Sequence, residues 1–250
     1  MMRLIAHPAP LFYPLRALVR SCIKFLFRIQ IEGLENLPNV PYVLISNHLS
    51  WIDPLLYLCL FPSIPQIVFI GNAASTTENS LLNMIISLAG KPLISFNKRE
   101  CFSRIRALKR ISREAKGGKT VGFFPEGRIG EEGIICPFHP GAFLVAKKLK
   151  HLVVPVGLAG AKQLYWRKPI RIKIGTPLFP QEGETVKELT IRAHKTLRKV
   201  IPDYPGDLPR PHHLTWLSKL FHTERHPFPF DGTQALYNEN DPDGYDLPEK

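Results

Sequence analysis

The chain has 250 residues, 44% of them hydrophobic, and a formal net charge of +12. That length can bury a full core in one domain with room for appendages, and the charge requires an anionic partner while leaving nucleic acid, anionic lipid and phosphorylated metabolite all open. Its four cysteines, Cys22, Cys59, Cys101 and Cys136, lie far apart with no CxxC pair and no histidine at ligand spacing, which argues against a disulfide frame or a zinc site and for free thiols in a reducing compartment.

No apolar run reaches the roughly 18 to 20 residues needed to span a bilayer. Arginines interrupt the apolar stretch near the N-terminus and no small-residue cleavage site follows, so no signal peptide is expected. Residues 11–29 (LFYPLRALVRSCIKFLFRI) place Leu11, Leu15, Leu18, Cys22, Leu26 and Ile29 at helical spacing, with Arg16, Arg20, Lys24 and Arg28 every four residues on the other side. The pattern predicts a basic amphipathic helix, its start set by Pro14. Such a helix can lie in the interface of an anionic membrane or pack on its own domain with a solvated basic face.

Residues 31–40 read as a short strand and turn, and 41–46 (PYVLIS) as an interior strand. Further along, 54–60, 79–89, 101–116 and 143–150 read as helices and 66–71, 92–96, 119–124, 152–158 and 170–175 as strands. In the 101–116 helix Ile105, Leu108, Ile111 and Ala115 are expected to face inward, and Gly117-Gly118 to stop it. Thr185 with Glu188 resembles a capping box opening a last helix that ends at Pro202. This alternation predicts an α/β fold: one layered domain with a mixed or mostly parallel central sheet flanked by helices, its site at the carboxyl ends of strands. Residues 203–250 are proline-rich and carry four Lys/Arg against nine Asp/Glu, whereas residues 1–202 carry 29 against 12, a net of +17. The expected organisation is therefore an amphipathic, membrane-interface helix over 1–30, a folded α/β domain over 31–202 and a poorly ordered acidic tail over 203–250.

Two segments fall at predicted strand ends. In Asn47-His48-Leu49-Ser50-Trp51-Ile52-Asp53-Pro54, a histidine sits on a strand-to-helix loop with a carboxylate five positions on. A carboxylate that holds one imidazole nitrogen fixes the tautomer, and the other nitrogen can then act as a general base. Spacing alone does not decide this. His226 and Asp231 share it in a Pro-Phe-rich segment with no strand before it, and a helix-capping aspartate beside a loop histidine has the same spacing. The second segment, Gly122 to Gly127 (GFFPEG), ends a strand in a proline-glycine turn that presents Glu126.

Together these segments resemble the glycerolipid acyltransferases typified by 1-acyl-sn-glycerol-3-phosphate acyltransferase. The family's Asn-His-x-Ser-x-x-Asp block is matched by Asn47, His48, Ser50 and Asp53, and its Phe-Pro-Glu-Gly block by Phe124 to Gly127. Its glycine-initiated strand ending in arginine is matched by Gly90 to Arg99, and its Val-Pro-Val run by Val154-Pro155-Val156. The resemblance covers about residues 30–180. Two departures stand out: the third block continues Arg128-Ile129-Gly130 in place of the family's Thr-Arg-Ser, and either Lys98 or Arg99 could fill the arginine slot of the second.

The resemblance implies direct transfer of a fatty acyl group from acyl-CoA or acyl-carrier protein to the free hydroxyl of 1-acyl-glycerol 3-phosphate, giving phosphatidic acid, with no cofactor and no metal. His48 would be the general base and Asp53 its orienting partner. Asn47, Ser50, Glu126 and Gly127 would shape the acceptor site, Ser50 by a local turn hydrogen bond, and Lys98, Arg99 and Arg128 are the candidates for the acceptor phosphate. No GxSxG elbow or catalytic-cysteine context appears, so no acyl-enzyme is expected. The expected partners are an anionic membrane surface, a lysophospholipid and an acyl thioester, with a peripheral or monotopic location on the cytoplasmic face. Nucleic acid is not expected, for want of any recognisable binding module. Another lysolipid acceptor and a non-catalytic lipid-binding relative remain as alternatives.

Overall fold

The computed structural model describes residues 11–72, 93–96 and 101–204, together with Gly206 and Trp216. The expected helix over 79–89 and most of the acidic tail lie outside the described residues. The elements in order are α1 (Phe12–Leu26), β1 (Phe27–Glu32), β2 (Val43–Ser46), α2 (Asp53–Leu60), β3 (Ile67–Asn72), β4 (Leu93–Phe96), α3 (Cys101–Lys116), β5 (Thr120–Phe123), α4 (Gly141–Leu149), β6 (Val153–Ala159), β7 (Lys168–Ile174) and α5 (Val186–Val200). The strands form one sheet in the order β1-β7-β6-β2-β5-β3-β4. All neighbours are parallel except β6 and β7. This is the mostly parallel α/β sheet expected.

Strand side chains alternate between faces, and β2 shows the consequence. Leu44 enters one core with Tyr57, Phe61, Phe69 and Val156, against α1 and α2. Val43 and Ile45 enter a second core with Ile111, Phe143, Ala193 and Leu197, from α3, α4 and α5. A sheet covered on both faces favours near-continuous apolar strands, and β2, β5 and β6 are buried along their whole length. Because β2 is central and parallel to β5 and β6, the loops after these three strands converge at one end of the sheet. Gly122 permits one close approach in this region: a Cβ there would meet the Phe69 ring at 2.3 Å.

Local signals explain the helix ends. Thr185 and Glu188 form the full capping box of α5, and Gly118, at φ 87°, ends the turn after α3. The N-terminal helix departs from expectation. It stops at Leu26, and residues 27–32 form edge strand β1, paired in parallel with β7. The sheet thus begins upstream of the expected boundary at residue 31. The face of α1 differs too. Phe12 and Ile23 are buried against the domain, whereas Leu11, Leu18 and Phe25 are 55%, 63% and 66% exposed. Arg16 is not on a solvated basic face, since its guanidinium donates to the Leu58 carbonyl (3.0 Å) and the Phe61 carbonyl, closing the C-terminal end of α2 where carbonyls lack helical partners. In α3, Ile105 is exposed and Ala107 takes the inward place.

Replacing Arg16 with leucine removes both donors and is expected to lower the unfolding free energy by about 1–3 kcal/mol. Arg20→Leu, one turn on, should change it by no more than about 0.5 kcal/mol. Urea denaturation midpoints of the two variants measure the difference.

Candidate active site

Asp53 opens α2 and is fully buried. A buried carboxylate is tolerated only when its lone pairs are satisfied, and here four donors converge on it. Oδ2 accepts from His48 Nδ1 (2.7 Å), the Leu49 amide (2.7 Å) and the Ser50 amide (2.9 Å), and Oδ1 accepts from Ser50 Oγ (3.0 Å). The turn after β2 therefore wraps around one carboxylate, which lies in the first turn of a helix where the dipole also favours negative charge. With Nδ1–H donated to Asp53, Nε2 carries the lone pair of the neutral ring and makes no hydrogen bond among the described residues.

Aromatic contacts fix the plane of the imidazole. Phe124 stacks on it at 4.0 Å and 18° between planes, and Trp51 meets it edge-on at 5.7 Å. Phe124 in turn lies on Phe69, which lies on Tyr57, in a continuous stack. Tyr57 anchors the far end through a 2.6 Å hydrogen bond with Ser46 Oγ.

The loop after β5 clamps the backbone of His48. The Gly130 amide donates to the His48 carbonyl (2.6 Å). Glu126 accepts from the His48 amide (3.4 Å) and, more closely, from the Cys136 amide (2.9 Å). Burial raises the Glu126 pKa, and these two amides partly offset the rise. Gly127 is left-handed (φ 64°), and a Cβ there would meet the His139 ring at 2.8 Å. The residues just beyond the departure from the family pattern are docked on the turn after β6: Glu132 accepts from the Gly160 amide at 3.0 and 3.1 Å, and Glu131 pairs with Lys162 at 2.8 Å.

These positions separate the residues expected at the site. His48, Asp53, Ser50, Glu126 and Gly127 are brought together. Asn47 is buried, and its amide is committed to both backbone groups of Leu158 on β6, at 2.9 and 2.8 Å, so it ties β2 to β6. Ser50 is committed to Asp53. Arg128 is exposed, and its guanidinium donates to the Cys136 thiol. Lys98 and Arg99 lie outside the described residues. From the sequence Phe124 stands out only as part of the Phe-Pro-Glu-Gly block, and Glu132 does not stand out. The stack joins residues 48, 57, 69 and 124, which local sequence does not relate, while the acidic Glu131-Glu132 pair in a basic body was the available signal for docking. Among the described residues no group of three His, Cys, Asp or Glu side chains is arranged to hold a metal ion.

A family model described as Acyltransferase matches residues 28–159, which span the β2 and β5 loops and β6. The chain belongs to the acyltransferase family. The chloroplastic 1-acyl-sn-glycerol-3-phosphate acyltransferase of Arabidopsis thaliana is 34% identical over 140 residues, 55% of this chain and 38% of that protein. The 1-acyl-sn-glycerol-3-phosphate acyltransferase of Borreliella burgdorferi is 26% identical over 154 residues, 59% of this chain and 60% of that protein. The human 1-acyl-sn-glycerol-3-phosphate acyltransferase alpha is 25% identical over 194 residues, 72% and 65% of the two chains. The matched stretches thus span between about two fifths and two thirds of these relatives. The crystal structure of the 1-acyl-sn-glycerophosphate (LPA) acyltransferase from Thermotoga maritima shares the fold, with a TM-score of 0.61 over 76% of this chain and 78% of that one at 21% identity.

Glu126→Gln leaves only one acceptor oxygen for two amide donors. Hydrogen exchange at the Cys136 amide is expected to accelerate by at least about 10-fold, corresponding to loss of a bond to a charged group. A pH effect follows from His194 on α5, which hydrogen-bonds the Cys136 backbone, packs edge-on against Phe138 at 4.8 Å, and has its pKa lowered from 6.5 to about 4, chiefly by burial and then by Arg198. Between these values the unfolded chain binds more protons than the folded one, so stability falls as pH drops from about 6.5 to about 4. His194→Gln should flatten that slope in thermal melts across the window.

Proposed function

We propose that this protein transfers a fatty acyl group from an acyl thioester to the free hydroxyl of 1-acyl-glycerol 3-phosphate, giving phosphatidic acid. The observation that carries the reading is the His48–Asp53 contact of 2.7 Å at the carboxyl end of the central strand, with no partner on Nε2 among the described residues. Family membership and relatives named as 1-acyl-sn-glycerol-3-phosphate acyltransferases support the choice of acceptor.

In this mechanism Nε2 of His48 takes the proton of the acceptor hydroxyl as its oxygen attacks the thioester carbonyl. Asp53 stabilises the resulting imidazolium through Nδ1. The tetrahedral adduct collapses with cleavage of the carbon–sulfur bond, and the imidazolium returns its proton to the departing thiolate. Phe124 and Trp51 hold the ring in plane throughout. The donor is an acyl-CoA or an acyl-carrier protein thioester. The acceptor phosphate falls to Lys98 and Arg99, because the Arg128 guanidinium is directed at Cys136. That engagement also favours a second reading, the same chemistry on a lysolipid with another headgroup.

No helix among the described residues is long and apolar enough to cross a membrane. The exposed stripe of Leu11, Leu18 and Phe25 on α1 supports peripheral association instead. In this reading the protein sits on the cytoplasmic face, α1 serves as the membrane-interface element, and the acidic tail over 203–250 is dispensable for chemistry.

The test is transfer of a labelled acyl group to lysophosphatidate from acyl-CoA and, separately, from acyl-carrier protein. Wild type should form phosphatidate with at least one donor, and His48→Ala should lose about 10²- to 10⁴-fold in kcat while remaining folded. An active, folded His48→Ala enzyme would remove the base from the mechanism. Phe124→Leu keeps an apolar contact but loses the stack, and is expected to lower kcat by about 10- to 100-fold with little change in KM.

A further inference from the structure

The catalytic cluster accounts for the loops after β2 and β5 but not for the cations at the far edge of the sheet. A cavity of about 540 Å³, open to solvent on one side, lies between the second half of α1 and edge strand β1. Arg20, Lys24, Arg28 and Arg167 line it, Ile29 and Leu60 contribute to its apolar wall, and no carboxylate is among its lining residues. None of the four cationic side chains has a hydrogen-bonding or acidic partner among the described residues. Like charges gathered around one cavity repel, so an anion bound there is favoured by all four at once. Arginine adds bidentate geometry for phosphate.

The apolar surface beside the cavity identifies where that phosphate comes from. Phe25 and Trp166 pack edge-to-face at 4.8 Å, both exposed, and each is the chain neighbour of a lining cation, Lys24 and Arg167. Leu11, Leu18 and Phe25 recur every seven residues along the exposed side of α1. Cations at headgroup depth beside an aromatic and aliphatic stripe is the arrangement by which a surface helix engages an anionic bilayer. Two strands, β7 and β6, separate β1 from β2, so the cavity is about 14 Å from the strand that presents His48.

We propose that this cavity is a second lipid site, which takes the phosphate headgroup of an anionic phospholipid standing in the bilayer, with a monoester such as phosphatidate preferred for its greater charge. The bound headgroup fixes how α1 meets the membrane. The proposal rests on the membrane-facing role given to α1 above, and not on the acyl-transfer reaction.

The experiment uses full-length His48→Ala, so that no turnover intervenes and failure of the proposed reaction leaves the result interpretable. Binding is measured to phosphatidylcholine vesicles with and without phosphatidate, and to a water-soluble short-chain phosphatidate without vesicles. Adding Arg20→Gln, Arg28→Gln and Arg167→Gln should raise the Kd for both by at least about 10-fold more than removing Lys109, Arg110 and Arg113 from α3, with single Lys24→Gln as a milder variant if the triple one melts early. Saturable one-to-one binding of the short-chain lipid that the cavity variants lose supports the site. Equal losses from the two sets of substitutions would mean diffuse electrostatics and overturn it. Inorganic phosphate, added as a competitor, displacing the short-chain lipid with an equal Kd would overturn the lipid assignment.

Discussion

The structure around the candidate site depends on one buried carboxylate. Asp53 has no exposure to water, and its four donors all come from residues 48–50. An ionised group in such a place would cost several kcal/mol if any large part of that shell were missing, so the shell and the carboxylate enforce each other. The turn between β2 and α2 then has a single conformation. His48 is held not only by its own hydrogen bond but by a backbone that has no freedom to carry it away.

A second constraint acts at right angles to the first. The hydrogen bond to Asp53 fixes the direction of Nδ1 but leaves the ring free to rock about that axis, and the Phe124 stack removes this freedom. The stack is possible because Gly122 lets Phe69 lie against the backbone of β5. Clamps at both backbone groups of His48, from Glu126 and Gly130, come from the same loop as Phe124. The loops after β2 and β5 are therefore one unit, and the departure from the family pattern at 128–130 falls inside it. Just beyond it, Glu131 and Glu132 dock on the turn after β6, at Lys162 and Gly160.

Much of this was legible in the sequence, for reasons that differ by element. The interior strands announce themselves because burial on both faces demands unbroken β-branched and apolar runs, and α5 because its capping box is a purely local signal. The end of α1 was not legible: Ile29 satisfies both the helical spacing that precedes it and the alternation of a strand, and only pairing with β7 decides between them. Ile105 failed for a related reason, since a helical stripe fixes an angle only to within a residue and Ala107 takes the inward position. His48 and Asp53 are neighbours through a local turn and could be paired by reading. Asn47 could not be assigned by reading, because its partner, Leu158, is 111 residues away.

The cations of α1 show what periodicity cannot carry. Arg16, Arg20, Lys24 and Arg28 recur every four residues and look equivalent in the sequence. Arg16 meets the carbonyl end of α2, where helix geometry leaves acceptors without donors, and its charge is consumed in closing that helix. Among the described residues Arg20, Lys24 and Arg28 meet no such acceptor, and Arg167 arrives beside them from just before β7. A cation with an internal partner contributes to the fold and has little left to offer a ligand. Cations gathered without one raise the energy of the empty protein slightly and lower that of any complex with an anion. The distinction between a structural and a binding cation therefore lies in the partner and not in the residue, and here a single turn of helix separates the two.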